Sequence, residues 1–556
     1  MAKWRRLRRD VDRMPASSAA LDPSSALRQV AAIDIGTNSI HLLIAAVDPQ
    51  TRSFRIVQAE KSSTRLGERD PDTGELTPAA IDRAFLALGR YRDLAHSHGA
   101  EQILTAATSA VREAPNGRSF VQAVQERLGL EVDLVSGPEE ARLIYLGVLS
   151  GMAFGDQAHL ILDIGGGSTE LILADGRDAR ELTSTRVGAV RLQRDFVDQD
   201  PLTPARLAFL RAFIQGSLEP AVDRVRRGLK PGERPVLVAT SGTAITLAAL
   251  AAAQEERPPL RLQGFRVSRE RIDQLVDQLA AMTLAERKAI PAINERRAEI
   301  IVPGALVLQQ AMVMLKLHEL VISDRALREG LIVDWMLRQG LIVDRFSFQS
   351  NVRQRTVEDL AHRFRVNLAR AQRVAAHALE LYDHCQGLLH HDHGEGRQLL
   401  WAAAMLHTCG QHINISAYHK HSWYLIRHGD LLGYSETEQV MVAAIARYHR
   451  RSLPKKRHEA WLQVPSGEQR QTVSAMALLL RLAASLDRRP TPAVQALTVA
   501  IKNGQLKIAL EAASAGLDLS LERWSLEACA EPLAEATGVK LVVSTEPARE
   551  KLKGRS

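Results

Sequence analysis

Cysteine is almost missing: Cys385, Cys409 and Cys529 are the only three in 556 residues. An odd number of widely spaced thiols argues against a disulfide framework or a zinc ribbon, and fits a reducing cytoplasm. No uninterrupted apolar run reaches the roughly 18 residues of a membrane-spanning helix, so none is expected. The opening stretch "MAKWRRLRRDVDRM" is basic but lacks the apolar core of a secretion signal. We expect residues 1–28 to form a disordered, solvated basic arm. The remaining composition, 46% apolar and 24% charged, is ordinary for a globular chain. The length exceeds what one hydrophobic core supports, so roughly three to five domains are expected. A net charge of +8 favours a polyanionic partner without naming it.

Strand and helix patterns alternate from 29 to 150. "QILTAAT" and "EVDLVSG" read as strands, "SFVQAVQERLG" as a helix closed by Gly129, and "PEEARLIYLGVLSG" as a helix with Pro138 in its first turn. The alternation restarts over 151–345, with "HLILDIGGGSTELILAD", the strand "PVLVAT" and the ending "LVISDRALREGLIVDWML". From 346 to 493 the pattern is helical and rich in histidine. From 494 to 556 it is α+β, with two alternating strands joined through Asn503-Gly504, a strong hairpin signal.

Each of the first two segments opens on a strand that ends in an acid and a glycine turn: "DIGTNS" and "DIGGGST". Glycine lets the backbone approach a ligand closely, and successive N–H groups can converge on phosphate oxygens. The candidate phosphate-binding residues are Gly36, Thr37, Asn38 and Ser39 in the first turn, and Gly165, Gly166, Gly167, Ser168 and Thr169 in the second. Asp34 and Asp163, at the strand ends, are candidate Mg²⁺ ligands, because magnesium prefers oxygen donors. Neither turn is a dinucleotide fingerprint or a P-loop: each leads into another strand, and no lysine follows the glycines. Two such hairpins facing each other can clamp a phosphate group from both sides.

Paired hairpins of this kind resemble the phosphate loops of the actin, sugar-kinase and heat-shock-chaperone ATPase superfamily. Within it, "IDIGTNSIHLLIA", "TSAVREAPN", "VSGPEEARLIYLGV", "LDIGGGSTELIL", "SGT" and "SDRALREGL" together resemble the exopolyphosphatase and guanosine pentaphosphate phosphatase family. The resemblance implies an α/β fold of duplicated actin-like (ribonuclease-H-like) halves, then an all-α HD-like domain and a small α+β domain. It implies Mg²⁺-dependent hydrolysis of a terminal phosphoanhydride, in polyphosphate first and in guanosine pentaphosphate as the alternative. A phosphotransferase, or a non-enzymatic actin-like interaction module, stays open as another class. By the same resemblance Glu140 is the catalytic base; Glu139, about 100° away on the helix, is expected to be a partner of the helix dipole or an acid that supports the site from behind. Arg112 and the Ser241-Gly242-Thr243 turn are expected on phosphate oxygens. "SDRALREG" is expected to close the second half against the first rather than to touch substrate.

The helical segment resembles the HD phosphohydrolase fold, with His377, His407 and His421 at histidine positions. Thr408 stands in place of the motif's Asp, and Ala484 where many relatives carry another, so the fold is read as kept for binding rather than catalysis. The run "RYHRRSLPKKRHE" concentrates Arg450, Arg451, Lys455 and Lys456 around Pro454, a candidate track for a phosphate chain. Only Tyr448 could stack a base there, which argues against single-stranded nucleic acid. We expect a cytoplasmic homodimer with neither nucleic acid nor membrane as partner.

Overall fold

The computed structural model describes residues 27–342, 352–391, 394–465, 467–502 and 504–546. The basic arm up to residue 26, the junction at 343–351 and Asn503 of the expected hairpin turn lie outside the described residues.

The two expected halves have one topology. The first sheet runs β3-β2-β1-β4-β5, from β1 (Arg28–Ile35), β2 (Ile40–Asp48), β3 (Ser53–Ser62), β4 (Gln102–Ala107) and β5 (Val132–Leu134). The second runs β8-β7-β6-β9-β11, with β10 added antiparallel at the edge. Its strands are β6 (His159–Ile164), β7 (Thr169–Ala174), β8 (Ala179–Thr185), β9 (Val236–Thr240), β10 (Arg266–Ser268) and β11 (Glu319–Ile322). In both, the first three strands form an antiparallel meander and the fourth and fifth add in parallel. β1, β2, β6 and β7 are buried along nearly their whole length, which is why their sequences read as continuous apolar runs.

Helices fill the layers: α1 (Pro78–Ser97), α2 (Ser109–Arg112), α3 (Gly117–Leu128) and α4 (Gly137–Leu149), then α5 (Ala189–Phe196), α6 (Pro204–Gly228) and α7 (Ser241–Ala252). α8 (Arg269–Ala281), α9 (Leu284–Lys288), α10 (Glu295–Leu315) and α11 (Leu327–Arg338) complete the core. Between the sheets lies one core, to which β1, β2, β6, β7, β9, α4 and α11 all contribute. α4 starts where the Ser136 hydroxyl accepts the Glu139 N–H, with Pro138 in the first turn. It then crosses α11 backbone to backbone. A Cβ at Gly147 would stand 1.8 Å from the Ala326 carbonyl oxygen, and one at Gly330 would stand 1.8 Å from that of Leu143. α10 holds no uninterrupted apolar run of 18 residues, yet by length and composition it is apolar enough to cross a membrane; 78% of its apolar window is buried in the second half's core.

Beyond the junction, helices Val352–Arg363, Leu368–His384, Glu395–Leu406, Tyr418–His428, Glu436–Tyr448 and Gly467–Leu486 pack together. The three-stranded sheet β12 (Val494–Lys502), β13 (Gln505–Ala512) and β14 (Lys540–Glu546) shares a single hydrophobic core with them, so the change of pattern at 493/494 is not a break in packing.

Candidate active site

The two glycine hairpins meet in the crevice between the halves, Gly166 and Gly167 packing against Thr37. Asp34 and Asp163 end β1 and β6, and the pairing register sets what stands beside them. Across β1 and β2, Asp34 lies opposite His41, which lies opposite Lys61 on β3. In the second half Asp163 lies opposite Glu170, which lies opposite Ser184. The Ser184 hydroxyl donates to Glu170 Oε1 at 2.8 Å. Asp34, His41 and Lys61 from the first half, and Asp163 and Glu170 from the second, line one cleft of about 320 Å³, with Ser184 behind Glu170.

Of the residues expected from sequence, Asp34, Gly36, Thr37, Asn38 and Ser39 line this cleft from the first half. Asp163, Gly165, Gly166, Ser168, Ser241, Gly242 and Thr243 line it from the second, with Glu140 at the start of α4. Glu140 is buried and accepts from Arg112 Nη1 at 3.0 Å. Glu139 points elsewhere, its carboxylate taken by Arg142, which also donates to Asp334 at 2.7 Å. One helical step therefore separates a carboxylate in the cleft from one outside it.

Arg112, Thr169 and Gly167 stand differently from what was expected. Arg112 does not line the cleft. Its guanidinium holds Glu140 and the Val135 carbonyl, so in this structure it positions an acid rather than facing a phosphate. Thr169 is fully buried, and its hydroxyl donates to the Val187 carbonyl at 2.5 Å. Gly167 turns to the far side, against Ser109 and Thr37. Arg450, Arg451, Lys455 and Lys456 are not among the cleft's lining residues. They follow the helix Glu436–Tyr448, and Arg450 lies over the Tyr418 ring at 4.7 Å. "SDRALREG" does both things: α11 closes the halves together, and Asp324, Leu327 and Arg328 line the cleft.

The reading from sequence missed three cations. Lys61, Arg297 and Arg328 face the carboxylates from β3, α10 and α11. Arg297 packs so closely on Gly242 that a Cβ there would stand 1.9 Å from its Nη2. Burial, reinforced by Arg297 and Arg328, lowers Lys61 to about 8. Burial with Arg328 and Lys61 lowers His41 to about 3, so its imidazole is neutral. Opposite them burial, then the charge of Glu140, raises Asp34 and Asp163 each to about 7. Glu140 is raised by burial against the opposing pull of Arg112, and Glu170 is raised well above its ordinary value. Four buried cleft atoms lack any hydrogen-bond partner: Asp34 Oδ1, Ser39 Oγ, Ser241 Oγ and Thr243 Oγ1. Unpaired buried polar atoms are costly, and their convergence marks a place for a polar ligand. Ser241 also holds a φ of 87°, a left-handed conformation that is strained for serine.

Residues 43–339 match the model of the Ppx/GppA phosphatase family, and 352–529 match Ppx/GppA phosphatase, domain III. The chain belongs to the Ppx/GppA phosphatase family. A crystal structure of an exopolyphosphatase from Cytophaga hutchinsonii aligns with a TM-score of 0.52 and 27% identity, covering 57% of this chain and 100% of that one. The Aquifex aeolicus member of the Ppx/GppA family aligns at 28% identity and a TM-score of 0.48, over 56% of this chain and 99% of that one. The fold, duplicated actin-like halves joined to a further helical and sheet region, is that of the family.

In the helical region His407 is buried, with its Nδ1 2.6 Å from the Ala404 carbonyl and its ring edge-on to His449. His377 stands 3.9 Å from Glu380, and His421 lies on the helix Tyr418–His428. Asp487, a carboxylate that the reading from sequence passed over, is held by Arg370 and Arg373. Among the described residues no group of three or more His, Cys, Asp or Glu side chains is arranged to hold a metal.

Proposed function

We propose that this phosphatase is an Mg²⁺-dependent exopolyphosphatase that removes orthophosphate from the end of linear polyphosphate. The observation that carries the reading is the polarity of the cleft: buried carboxylates, the cations Lys61, Arg297 and Arg328, and unpaired hydroxyls share one lining. A phosphoryl group needs its oxygens neutralised and a water positioned in line. The hairpin N–H groups and the three cations would hold the terminal phosphoryl oxygens. Asp34 and Asp163 suit Mg²⁺: they are oxygen donors raised by burial and by the charge of Glu140, and Asp34 Oδ1 is unpartnered. Bound there, the ion supplies charge neutralisation for the phosphoryl oxygens. Glu140 would take the proton of the attacking water as the terminal P–O–P bridge breaks. Burial raises its basicity, and Arg112 fixes its orientation while opposing that rise.

The cleft favours a chain over a nucleotide. Among the described residues no Phe, Tyr or Trp lines it. Past Asp324 and Arg328 it adjoins a second pocket of about 210 Å³ against the helical region, where Arg55, Arg261 and Arg355 are among the lining residues. The Phe54 and Tyr434 rings of that pocket are buried, with Arg325 over one at 4.9 Å and Arg353 over the other at 4.8 Å, so neither offers an open ring to a guanine. The basic run on the helical region would extend the phosphate track further. The test is product analysis on long polyphosphate with Mg²⁺ and with EDTA. Orthophosphate alone, dependent on Mg²⁺, is expected; internal fragments, or equal rates in EDTA, would overturn the reading.

A further inference from the structure

The cleft has a back wall as well as a mouth. Two residues that line it, Thr37 and Ser109, also line a separate small cavity on the far side of the hairpins. Their hydroxyls are 3.0 Å apart. Beside them the wall has no side chain at Gly167, where a Cβ would stand 2.6 Å from Ser109 Oγ and 3.0 Å from Thr37 Oγ1. Behind the wall, Arg69, Arg191 and Arg194 face the cavity. Arg69 donates to the Ala110 carbonyl at 2.7 Å and Arg191 to the Gly167 carbonyl at 3.0 Å, so each is tied to one side of the seam. Glu113 neutralises Arg191, and Asp195 pairs with Arg194, whereas Arg69 is bonded only to carbonyls. Burial and the neighbouring charges of Arg191 and Arg194 lower Arg69, against the pull of Glu113, which shows how closely these groups stand.

We propose that orthophosphate leaves through this back wall, by a port between Thr37 and Ser109 that opens into the arginine-lined vestibule. The inference rests on the phosphatase reading above. A chain shortened by one phosphate still occupies the cleft and its front exit, so a product released at the hairpins has no free path forward. Backward, it meets two hydroxyls, a glycine and cationic side chains, a sequence suited to a small anion. The vestibule's volume of about 20 Å³ is room for one water. The port is therefore shut in this structure, and it opens when the Thr37–Ser109 hydrogen bond parts.

The experiment compares orthophosphate formation, by chemical quench, with orthophosphate release, by a fluorescent phosphate-binding sensor in stopped flow, using long polyphosphate and the full chain. Arg69→Gln and Arg194→Glu remove or reverse vestibule charge, Arg69→Lys restores charge without the paired carbonyl bonds, and Arg271→Glu reverses a charge elsewhere. Formation should stay near the wild-type rate in all four. Release should lag by about threefold or more in Arg69→Gln and Arg194→Glu, and recover in Arg69→Lys. Release that tracks formation in both charge variants overturns the port and leaves the phosphatase reading standing. So does an equal lag in Arg69→Lys and Arg69→Gln with Arg194→Glu normal, which would make Arg69 a structural pin. Absence of orthophosphate in the wild-type quench removes the substrate reading and the port with it.

Discussion

On the proposed mechanism, exchanging Glu140 for Gln removes the base and little else. The amide oxygen can still accept from Arg112 Nη1, now 3.0 Å from the carboxylate, so the side chain keeps its orientation. What disappears is the proton acceptor, a contribution of about 10²- to 10⁴-fold for a positioned general base. Because orientation survives, we expect the lower part of that range, about 10²- to 10³-fold in kcat, or about 3–4 kcal/mol of barrier. KM should hold or fall, since one negative charge leaves a cleft that must admit a polyanion. Glu139→Gln is the internal control: its carboxylate serves Arg142 outside the cleft, so kcat should stay within about twofold and stability within about 1 kcal/mol. Initial rates on long polyphosphate at saturating Mg²⁺ decide the matter. A Glu140→Gln enzyme within about tenfold of wild type, or an equal loss in Glu139→Gln, would refute the reasoning.

Three further outcomes are expected. Asp34 and Asp163 sit near 7 in the metal-free protein, above their ordinary 3.8, so the stability they contribute is full below about pH 4 and is lost as pH rises through about 7. Metal-free melting temperature should therefore fall between pH 5 and 8, less so in Asp163→Asn, and the Mg²⁺ concentration for half-maximal rate should rise both below pH 7 and in Asp34→Asn or Asp163→Asn; a flat Mg²⁺ requirement contradicts the two-acid site. Gly147→Ala drives a methyl into the Ala326 carbonyl and should cost about 1–3 kcal/mol or more by chemical denaturation, while Gly232→Ala, with open space around it, costs only what its positive φ imposes. Alanine at Arg450, Arg451, Lys455 and Lys456 together should raise KM for long chains but not for very short ones, with a shallower salt dependence; equal effects on both would show that the run is not a track.

The hairpins were legible in the sequence because their chemistry is local. An acid, glycines and hydroxyls within one turn bring their meaning with them, and the two copies shared it. Even their partners could have been found, since His41 stands to Asp34 at the same spacing as Glu170 to Asp163. Lys61, Arg297 and Arg328 were hidden for the opposite reason. They reach the cleft from a half-exposed meander strand, a capped helix start and the helix that closes the halves, and no short pattern joins them. Arg112 sits where its motif led us to look, but its role depends on a partner, Glu140, brought to it by the fold. The change of pattern after 493 was visible, whereas the packing of that sheet into the helical core was not, because a shared core is a property of long-range contacts.

The central claim is that the cleft is built for a phosphate chain. The most direct measurement is kcat/KM for long polyphosphate and for guanosine pentaphosphate, in the same buffer with the same Mg²⁺. A cleft lined, among the described residues, by no Phe, Tyr or Trp and opening onto a second cationic pocket predicts a ratio well above one that rises with chain length. A ratio below one, unchanged from short to long chains, would contradict the account.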